Sequence, residues 1–317
     1  PCRPTAPAGS GLFPRTPPQL HLRDGFADRL QGHRTDLGGS DRHGGARRLI
    51  AIRDLAKSFG GLQAVHDCSL DIGRGTITGL IGPNGAGKTT LFNMIAGALR
   101  PTSGQILFED RDIAGLPPHV LFRMGIVRTF QIPHEFAEMT VIENLMLVPQ
   151  GQTGERLLAS WFQWGRVRAE EEENRARAES VLDFLQLTRL RDERAGNLSG
   201  GQKKLLELGR TMMTEARLVL LDEPGAGVNP TLMGELAEMV LRLNRERGYT
   251  FCIIEHDMDL IARLCDPVYV LAEGTVLTHG RMEDIRRDPR VLEAYLGGSA
   301  EAAEAAANNR LSAGGAA

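Results

Sequence analysis

The chain has 317 residues, 42% of them hydrophobic, and its formal net charge is −3. This length fits one large domain or two small ones, and the near-neutral charge excludes the global basic field that would attract nucleic acid. Four scattered cysteines without a C-x-x-C pair exclude a disulfide framework or zinc site and favour a reducing compartment, and no apolar run reaches the roughly 18 residues that a membrane span requires.

Residues 1–48 differ in composition from the rest of the chain. They are rich in Pro, Gly and Arg, and eight arginines against four aspartates give them a charge of +4. A basic arm for nucleic acid or anionic lipid is one interpretation, but the lack of apolar periodicity favours a disordered extension. The Ala- and Gly-rich residues 298–317 are also expected to be disordered. The ordered domain is therefore predicted to span residues 49–297.

The first predicted elements are two strand-like segments, residues 49–52 and 64–72, joined by a turn at residues 57–61. Phe59 lies in this turn. An aromatic ring at this position can stack on a purine base or fill a place in the core, and the sequence leaves both interpretations open.

A glycine-rich loop then matches the phosphate-binding pattern G-x-x-x-x-G-K-[ST]. It consists of Gly82, Pro83, Asn84, Gly85, Ala86, Gly87, Lys88, Thr89 and Thr90. Residues 76–81 before it resemble a buried strand, and residues 91–97 after it resemble a helix, which is the context that the pattern requires. A glycine-rich turn of another kind would need neither neighbour, so the sequence predicts that the chain binds ATP or GTP.

The residue types of this loop suit a triphosphate. Its glycines let the backbone form a nest of N–H donors without a Cβ in the way, and the helix that follows directs its positive end at the phosphates. Lys88 can reach the β- and γ-phosphates. Thr89 can supply a hydroxyl to Mg²⁺, and Thr90 lies close enough to contact a phosphate.

Two further predicted strands, residues 105–108 and 126–130, follow the loop helix, and the second ends at Gln131. A glutamine at a strand end can bridge a metal ion or position a water molecule. The alternative is an ordinary solvated loop residue, and Gln131 alone does not decide between them.

Residues 140–195 have a different, helical character. Residues 140–148 are helix-like, and residues 169–187 form a clear amphipathic helix. The acidic run at 170–173 is predicted to be a solvated helix face and not a metal site. We therefore expect an α-helical subdomain, within about residues 135–215, that is inserted into an α/β core.

The sequence LSGGQ, residues 198–202, precedes another predicted helix. Ser199 and Gln202 have the spacing of a capping box, so a plain helix start is one interpretation. The other is a second anion site made by Ser199, Gly200, Gly201 and Gln202. Both phosphate-binding helix starts can serve one nucleotide if two copies of the chain face each other head to tail.

Two predicted core strands end in polar side chains. Residues 218–222 are apolar up to Asp222, which is followed by Glu223. Because neighbouring side chains of a strand point to opposite sides, Asp222 can hold Mg²⁺ while Glu223 faces the attacking water. The strand at residues 250–257 ends in polar groups, of which His256 can contact the γ-phosphate or have a structural role. Strands at 268–271 and 275–278 and a helix at 282–296 complete the predicted domain.

This ordered set of motifs resembles the ATP-binding-cassette (ABC) ATPases from about residue 48 to residue 297. LSGGQ, placed between the two other nucleotide motifs, is the most specific part of the match. The resemblance implies an α/β fold with a RecA-like P-loop NTPase core, an antiparallel β subdomain and an inserted α-helical subdomain. It also implies ATP and Mg²⁺ as cofactors.

The resemblance further implies a role for each matching residue. Phe59 would stack on adenine, Lys88, Thr89 and Thr90 would bind phosphate and Mg²⁺, and residues 199–202 would close over the ATP of a partner chain. Asp222 would be the Mg²⁺ aspartate, Glu223 the general base and His256 a switch residue, while Gln131 would sense Mg²⁺ and couple to a membrane partner.

Finer resemblance points to the ATPases of branched-chain amino acid importers. It lies in segments of this sequence at 123–131, 138–145, 225–230, 254–258 and 294–297. It implies integral-membrane permease subunits, a second ABC ATPase subunit and, indirectly, a substrate-binding protein as partners, at the cytoplasmic face of the inner membrane. Many cassettes have a serine- and aspartate-containing loop where this chain has residues 226–230, so the chain departs from the family pattern there.

Three alternatives remain within the same resemblance. Related branches import urea or amides or export lipopolysaccharide, and they share much of this pattern. A soluble ABC ATPase acting on ribosomes or DNA is disfavoured, because such proteins commonly carry tandem cassettes or long coiled coils and this chain has neither. The basic residues 1–48 are the only feature in its favour, and we expect no nucleic-acid partner.

Overall fold

The computed structural model describes residues 47–129, 135–155, 161 and 163–295. The strands are β1 (Arg48–Phe59), β2 (Leu62–Gly73), β3 (Ile77–Ile81), β4 (Ser103–Phe108), β5 (Arg111–Asp112), β6 (Ile126–Arg128), β7 (Leu218–Asp222), β8 (Thr250–Ile254), β9 (Val268–Ala272) and β10 (Thr275–Gly280). The helices are α1 (Lys88–Ile95), α2 (Pro118–Arg123), α3 (Val141–Met146), α4 (Trp164–Phe184), α5 (Gly200–Met212), α6 (Pro230–Arg247), α7 (Met258–Leu264) and α8 (Met282–Ile285).

The first four-stranded sheet is antiparallel and has the order β2-β1-β4-β5. Its β1–β2 hairpin is tighter than predicted, because strand pairing continues to Phe59 and Leu62. The turn therefore consists of Gly60 and Gly61 alone, and Gly60 adopts the left-handed conformation with φ of 59° that such short hairpin turns need. The predicted turn at 57–61 was correct in place but too long.

The second sheet has the order β10-β9-β3-β8-β7-β6. All of its neighbouring pairs are parallel except β9 with the edge strand β10. The carboxyl ends of β3, β8 and β7 consequently lie side by side at one edge. Ligands of open α/β sheets bind at this edge, so the fold places the residues that follow these three strands where chemistry is expected.

Two hydrophobic cores cover the two faces of this parallel sheet. Along β7, Val219 and Leu221 enter one core, and Leu218 and Leu220 enter the other. This alternation is the two-residue period of a strand that is buried on both faces. The first core includes α3, α4 and α5, whereas the second includes α1 and the antiparallel sheet. The predicted α/β class with an antiparallel β subdomain is confirmed.

The described chain between β6 and β7 contains the helices α3, α4 and α5. Arg177 of α4 donates to the carbonyl oxygens of Met212 and Thr214, each at 3.1 Å, which ties α4 to the end of α5. The limits of 135–215 for the helical subdomain remain a prediction. Among all the helices that the structure describes, none has the combination of length and apolar composition needed to cross a bilayer.

The acidic run in α4 is only partly a solvated face, contrary to our prediction. Residues 171–173 are exposed. Glu170, however, accepts hydrogen bonds from the backbone N–H and the hydroxyl of Thr153, at 2.8 and 2.7 Å. These two bonds hold the pKa of Glu170 below its usual value. The carboxylate therefore fastens the turn at Thr153 to the first turns of α4.

The predicted single helix at 282–296 is interrupted. Helix α8 ends at Ile285, and a second helical segment covers residues 289–295. Pro289 causes the break, because a proline disfavours helical backbone in the residue before it and is well suited to the first helical position. Asp288 caps the new segment by accepting the backbone N–H of Arg290 at 3.0 Å.

Asn144 is a fully buried amide that fixes the chain on the amino-terminal side of α3. Its oxygen accepts the backbone N–H of Phe136 at 2.9 Å, and its nitrogen donates to the carbonyl oxygens of Phe136 and Thr140 at 3.1 and 2.9 Å. This one side chain therefore satisfies backbone groups on both sides of the turn that leads into α3.

We predict that Asn144→Ala lowers the free energy of unfolding by about 2–3 kcal/mol, because it leaves buried backbone groups unpaired. Urea unfolding measures this effect. Asn197→Ala, which alters an exposed asparagine, is the control and should change the value by less than about 0.5 kcal/mol. Equal effects of the two substitutions would contradict the anchoring role of Asn144.

Candidate active site

The glycine-rich loop connects β3 to α1, as predicted, at the carboxyl edge of the parallel sheet. Two of its glycines are required by packing against neighbouring backbone. A Cβ on Gly82 would lie 2.0 Å from the carbonyl oxygen of Leu271, and a Cβ on Gly87 would lie 2.5 Å from that of Ala64. Gly85 has open space around it, and its φ of 82° is the reason for glycine there.

The start of α1 is open to an anion. Gly87 is its N-cap, in left-handed conformation, and no side-chain hydrogen bond caps this end. The first turn, which contains Lys88, Thr89 and Thr90, has no acidic residue. Thr89 is exposed and Thr90 is half-buried. The unpaired N–H groups and the positive end of the helix dipole therefore face the surface of the loop.

Lys88 is folded back into the loop and is only 6% exposed. Its ammonium donates to the carbonyl oxygens of Gly82 and Pro83 at 2.8 and 2.9 Å. Burial lowers the pKa of Lys88, and the negative charges of Glu223 and Asp222 oppose this shift. The ammonium of Lys88 and the carboxylates of Asp222 and Glu223 thus belong to one electrostatic site.

Asp222, the last residue of β7, is buried and forms an ion pair that the sequence analysis missed. Its Oδ2 accepts a hydrogen bond from Arg128 at 2.7 Å. Arg128 ends β6, the neighbouring strand, and its other terminal nitrogen donates to Asn93 of α1. A lone cation at the end of an apolar strand was the available sequence signal for this partner.

Glu223 and His256 come together although they follow different strands. Glu223 Oε1 lies 3.0 Å from His256 Nε2. The parallel register of β7 and β8 pairs Asp222 with Ile254, and the backbone N–H of Glu223 donates to Ile254 at 2.9 Å. Glu223 has a φ of 47°, which turns the chain out of the strand. We predicted both residues as site candidates but did not predict that they pair.

The residues of LSGGQ form the predicted capping box at the start of α5. Ser199 Oγ accepts the backbone N–H of Gln202 at 3.4 Å, and the Gln202 side chain accepts the N–H of Ser199 at 2.9 Å. A Cβ on Gly201 would lie 2.4 Å from the terminal carbon of Leu232, so this glycine allows close packing against α6, while Gly200 is exposed. Between the described residues 199–202 and 82–90, no hydrogen bond or ion pair is formed.

Phe59 is 47% exposed at the tip of the β1–β2 hairpin. The ammonium of Lys57 lies 5.1 Å from its ring centroid. The interpretation of Phe59 as a core aromatic is therefore wrong, and stacking on a purine base stays a prediction. Gln131, the other predicted site residue, lies outside the described residues, two positions after Thr129.

Comparison with known proteins agrees with these motifs. The family described as "ABC transporter" matches residues 65–226, and the family described as "Branched-chain amino acid ATP-binding cassette transporter" matches residues 275–301. The chain is 45% identical over 250 residues to a probable branched-chain amino acid transport ATP-binding protein LivG of Archaeoglobus fulgidus, which covers 79% of this chain and 96% of that protein.

Two further similarities support the assignment. The high-affinity branched-chain amino acid transport ATP-binding protein LivG of Escherichia coli strain K12 is 41% identical over 249 residues, covering 78% of this chain and 98% of that protein. A crystal structure of the ADP conformation of an ATP-binding cassette of an ABC transporter has a TM-score of 0.68 and 39% identity, covering 79% of this chain and 99% of that one. The chain belongs to the ATP-binding-cassette family of transporter ATPases, in its branched-chain amino acid branch.

Proposed function

We propose that this chain is the ATP-hydrolysing subunit of an importer for branched-chain amino acids. The observation that carries the proposed hydrolysis is the Glu223–His256 pair, which lies at the same sheet edge as the open start of α1. The transported substrate is inferred from the names of relatives at 41–45% identity. The chain would act at the cytoplasmic face of the inner membrane.

The loop at 82–90 would hold the phosphates of ATP. Its backbone N–H groups and the α1 dipole attract the negative charge, and Lys88 would leave the carbonyl oxygens of the loop to meet the β- and γ-phosphates. Thr90 would add a hydroxyl contact. The exposed ring of Phe59 would stack on the adenine base.

Mg²⁺ would be held by Thr89, Asp222 and Gln131. The hydroxyl of Thr89 and the carboxylate of Asp222 are the hard oxygen ligands that this ion prefers, and their small number suits an ion that also uses phosphate oxygens and water. When bound, Mg²⁺ would neutralise charge on the β- and γ-phosphates. Arg128 fixes the Asp222 carboxylate in place for this task.

Glu223 would act as the general base for hydrolysis. Its carboxylate would accept a proton from the attacking water, and His256, whose Nε2 lies 3.0 Å from Oε1, would hold the carboxylate and contact the γ-phosphate. Lys88 would neutralise charge on the transferring phosphoryl group.

A second chain would complete each site. Among the described residues, 199–202 are not bonded to the loop at 82–90 of their own chain, and Gly200 at the start of α5 is exposed. We propose that they close over the γ-phosphate of an ATP held by another cassette, either a second copy or a related ATPase subunit. ATP would then join the two chains, and hydrolysis would separate them.

The permease partner would dock in a groove of 780 Å³ beside the helical region. Arg123, Gln150, Glu173, Arg177 and Arg217 are among the residues that line it. The groove adjoins β6, whose chain leads on to Gln131. A movement at the γ-phosphate would thus pass through Gln131 and β6 to the membrane subunits in the groove. A substrate-binding protein would be an indirect partner.

Glu223→Gln should abolish hydrolysis while preserving ATP binding. General-base catalysis typically contributes about 100- to 10,000-fold, so we expect phosphate release to fall by roughly that factor and the Kd for ATP to change less than about twofold. Steady-state phosphate release and equilibrium ATP titration measure the two quantities. Glu238→Gln, an exposed carboxylate of α6, is the matched control and should resemble the wild type. Turnover by Glu223→Gln at the wild-type rate would contradict the general-base assignment.

Mass spectrometry of what co-purifies with the full chain from gently solubilised native membranes tests the transport assignment. We expect two integral-membrane permeases and a second ATPase chain. Arg123→Glu should reduce permease recovery several-fold by reversing a charge in the groove, whereas Arg263→Glu on α7 should not. Recovery only with ribosomes or nucleic acid would reject transport, and equal recovery with both variants would reject the groove.

A further inference from the structure

Glu255 is a buried carboxylate that directly follows β8, with 5% of its surface exposed. It lies between the two halves of the proposed hydrolysis site, because β8 is the neighbour of β7 and Glu223 bonds to Ile254, the residue before Glu255. A buried ionised group is costly unless it is paired and hydrogen-bonded. Its contacts therefore indicate what it does.

The two oxygens of Glu255 bind two different chain segments. Oε1 accepts the backbone N–H of Gly225 at 2.6 Å, and Oε2 accepts the backbone N–H of His256 at 3.1 Å. One side chain thus joins the turn that follows Glu223 to the histidine that pairs with Glu223.

The absence of a side chain at Gly225 leaves room for this contact. A Cβ at this position would lie 2.8 Å from Glu255 Oε1 and 2.2 Å from the terminal carbon of Met233. A Cβ at this position would therefore displace the Glu255 carboxylate or the end of the Met233 side chain. The backbone N–H of Ala226 donates to the carbonyl oxygen of Glu223 at 3.0 Å, which ties the same turn to Glu223.

Lys204 of α5 is a buried cation that interacts electrostatically with the same carboxylate. Burial lowers the pKa of Lys204, and the negative charges of Glu207 and Glu255, followed by Asp222 and Glu223, oppose the shift. Glu255 is therefore charge-compensated by α5, the helix that carries Ser199 at its start. This cation offsets part of the cost of burying the Glu255 carboxylate.

We propose that Glu255 is a positioning residue for hydrolysis, which holds Gly225 and His256 together and thereby sets the geometry of the Glu223–His256 pair. The inference rests on the proposed function of that pair. Glu255 itself touches neither the phosphate loop nor any residue assigned to adenine or Mg²⁺ among the hydrogen bonds of the described chain. Its loss should therefore affect turnover and leave nucleotide binding intact.

The test uses Glu255→Gln in the full chain. The amide keeps the shape, but it cannot accept from both N–H groups, because one of its two terminal atoms is a donor. We expect kcat to fall about 10- to 100-fold, as for small misplacements of catalytic groups, with the KM for ATP within about twofold of wild type. Glu143→Gln in α3 is the matched control, because the Glu143 carboxylate likewise accepts two hydrogen bonds. One comes from a backbone N–H and the other from a hydroxyl.

A double substitution separates positioning from plain loss of stability. If Glu255 acts through His256, then adding Glu255→Gln to His256→Ala should lower kcat by less than about a further twofold. If Glu255 had only a structural role, Glu255→Gln would lower kcat in the double variant by its full factor. If Glu255→Gln does not unfold cooperatively, Gly225→Ala is used in its place. The added Cβ displaces the same carboxylate, so the same loss of kcat is expected.

The NMR signal of the His256 ring gives a readout that does not depend on turnover. Assigned by its absence in His256→Ala, it should shift in Glu255→Gln in the same direction as in Glu223→Gln. A wild-type kcat together with an unshifted His256 signal would overturn the proposal for Glu255. A wild-type chain without ATPase activity would instead count against the proposed function, while the ring signal still decides the role of Glu255.

Discussion

The parallel register of β7 and β8 is the constraint on which the proposed site depends. It sets Asp222 beside Ile254, so the residues that follow each strand emerge at the same level of the sheet edge. Glu223 and His256 can then meet at 3.0 Å. A slip of one residue would turn every side chain of a strand to the opposite face, so the two hydrophobic cores that fix the register also fix the Glu223–His256 pair.

Charge balance is the second condition for this edge. Asp222, Glu223 and Glu255 place three carboxylates close to one another, which alone would be strongly unfavourable in a buried setting. Three cations from three other elements compensate them. Lys88 comes from α1, Arg128 from β6 and Lys204 from α5. Binding of a triphosphate adds further negative charge, and the open start of α1 is the part of the site suited to receive it.

The local motifs could be predicted from the sequence because each depends on a short segment. The strand–loop–helix around 82–90 and the capping box of Ser199 and Gln202 have spacings that only neighbouring residues determine. The break before the last helical segment was also readable from Pro289, although the prediction overlooked it. Phe59 could not be assigned, because exposure depends on how far the hairpin pairing continues.

The contacts between strands could not be predicted, because no sequence spacing encodes them. Arg128 with Asp222, Glu223 with His256 and Glu255 with Gly225 each join segments 30 to 94 residues apart. The requirement for glycine at position 82 could not be predicted either, because it depends on a contact with a segment that is distant in the sequence. The sequence suggested room for phosphate, whereas the structure places the carbonyl oxygen of Leu271 against it.

The central claim is that each ATP is hydrolysed between two chains, and mixing two inactive variants tests it most directly. In a preparation whose wild-type chain hydrolyses ATP alone, Lys88→Ala disables the loop and Ser199→Ala disables the closing segment. Neither variant should turn over ATP. In an equimolar mixture, half of the dimers would contain one site with both parts intact, so activity should return to roughly one quarter of wild type. A mixture as inactive as its components would contradict the two-chain site.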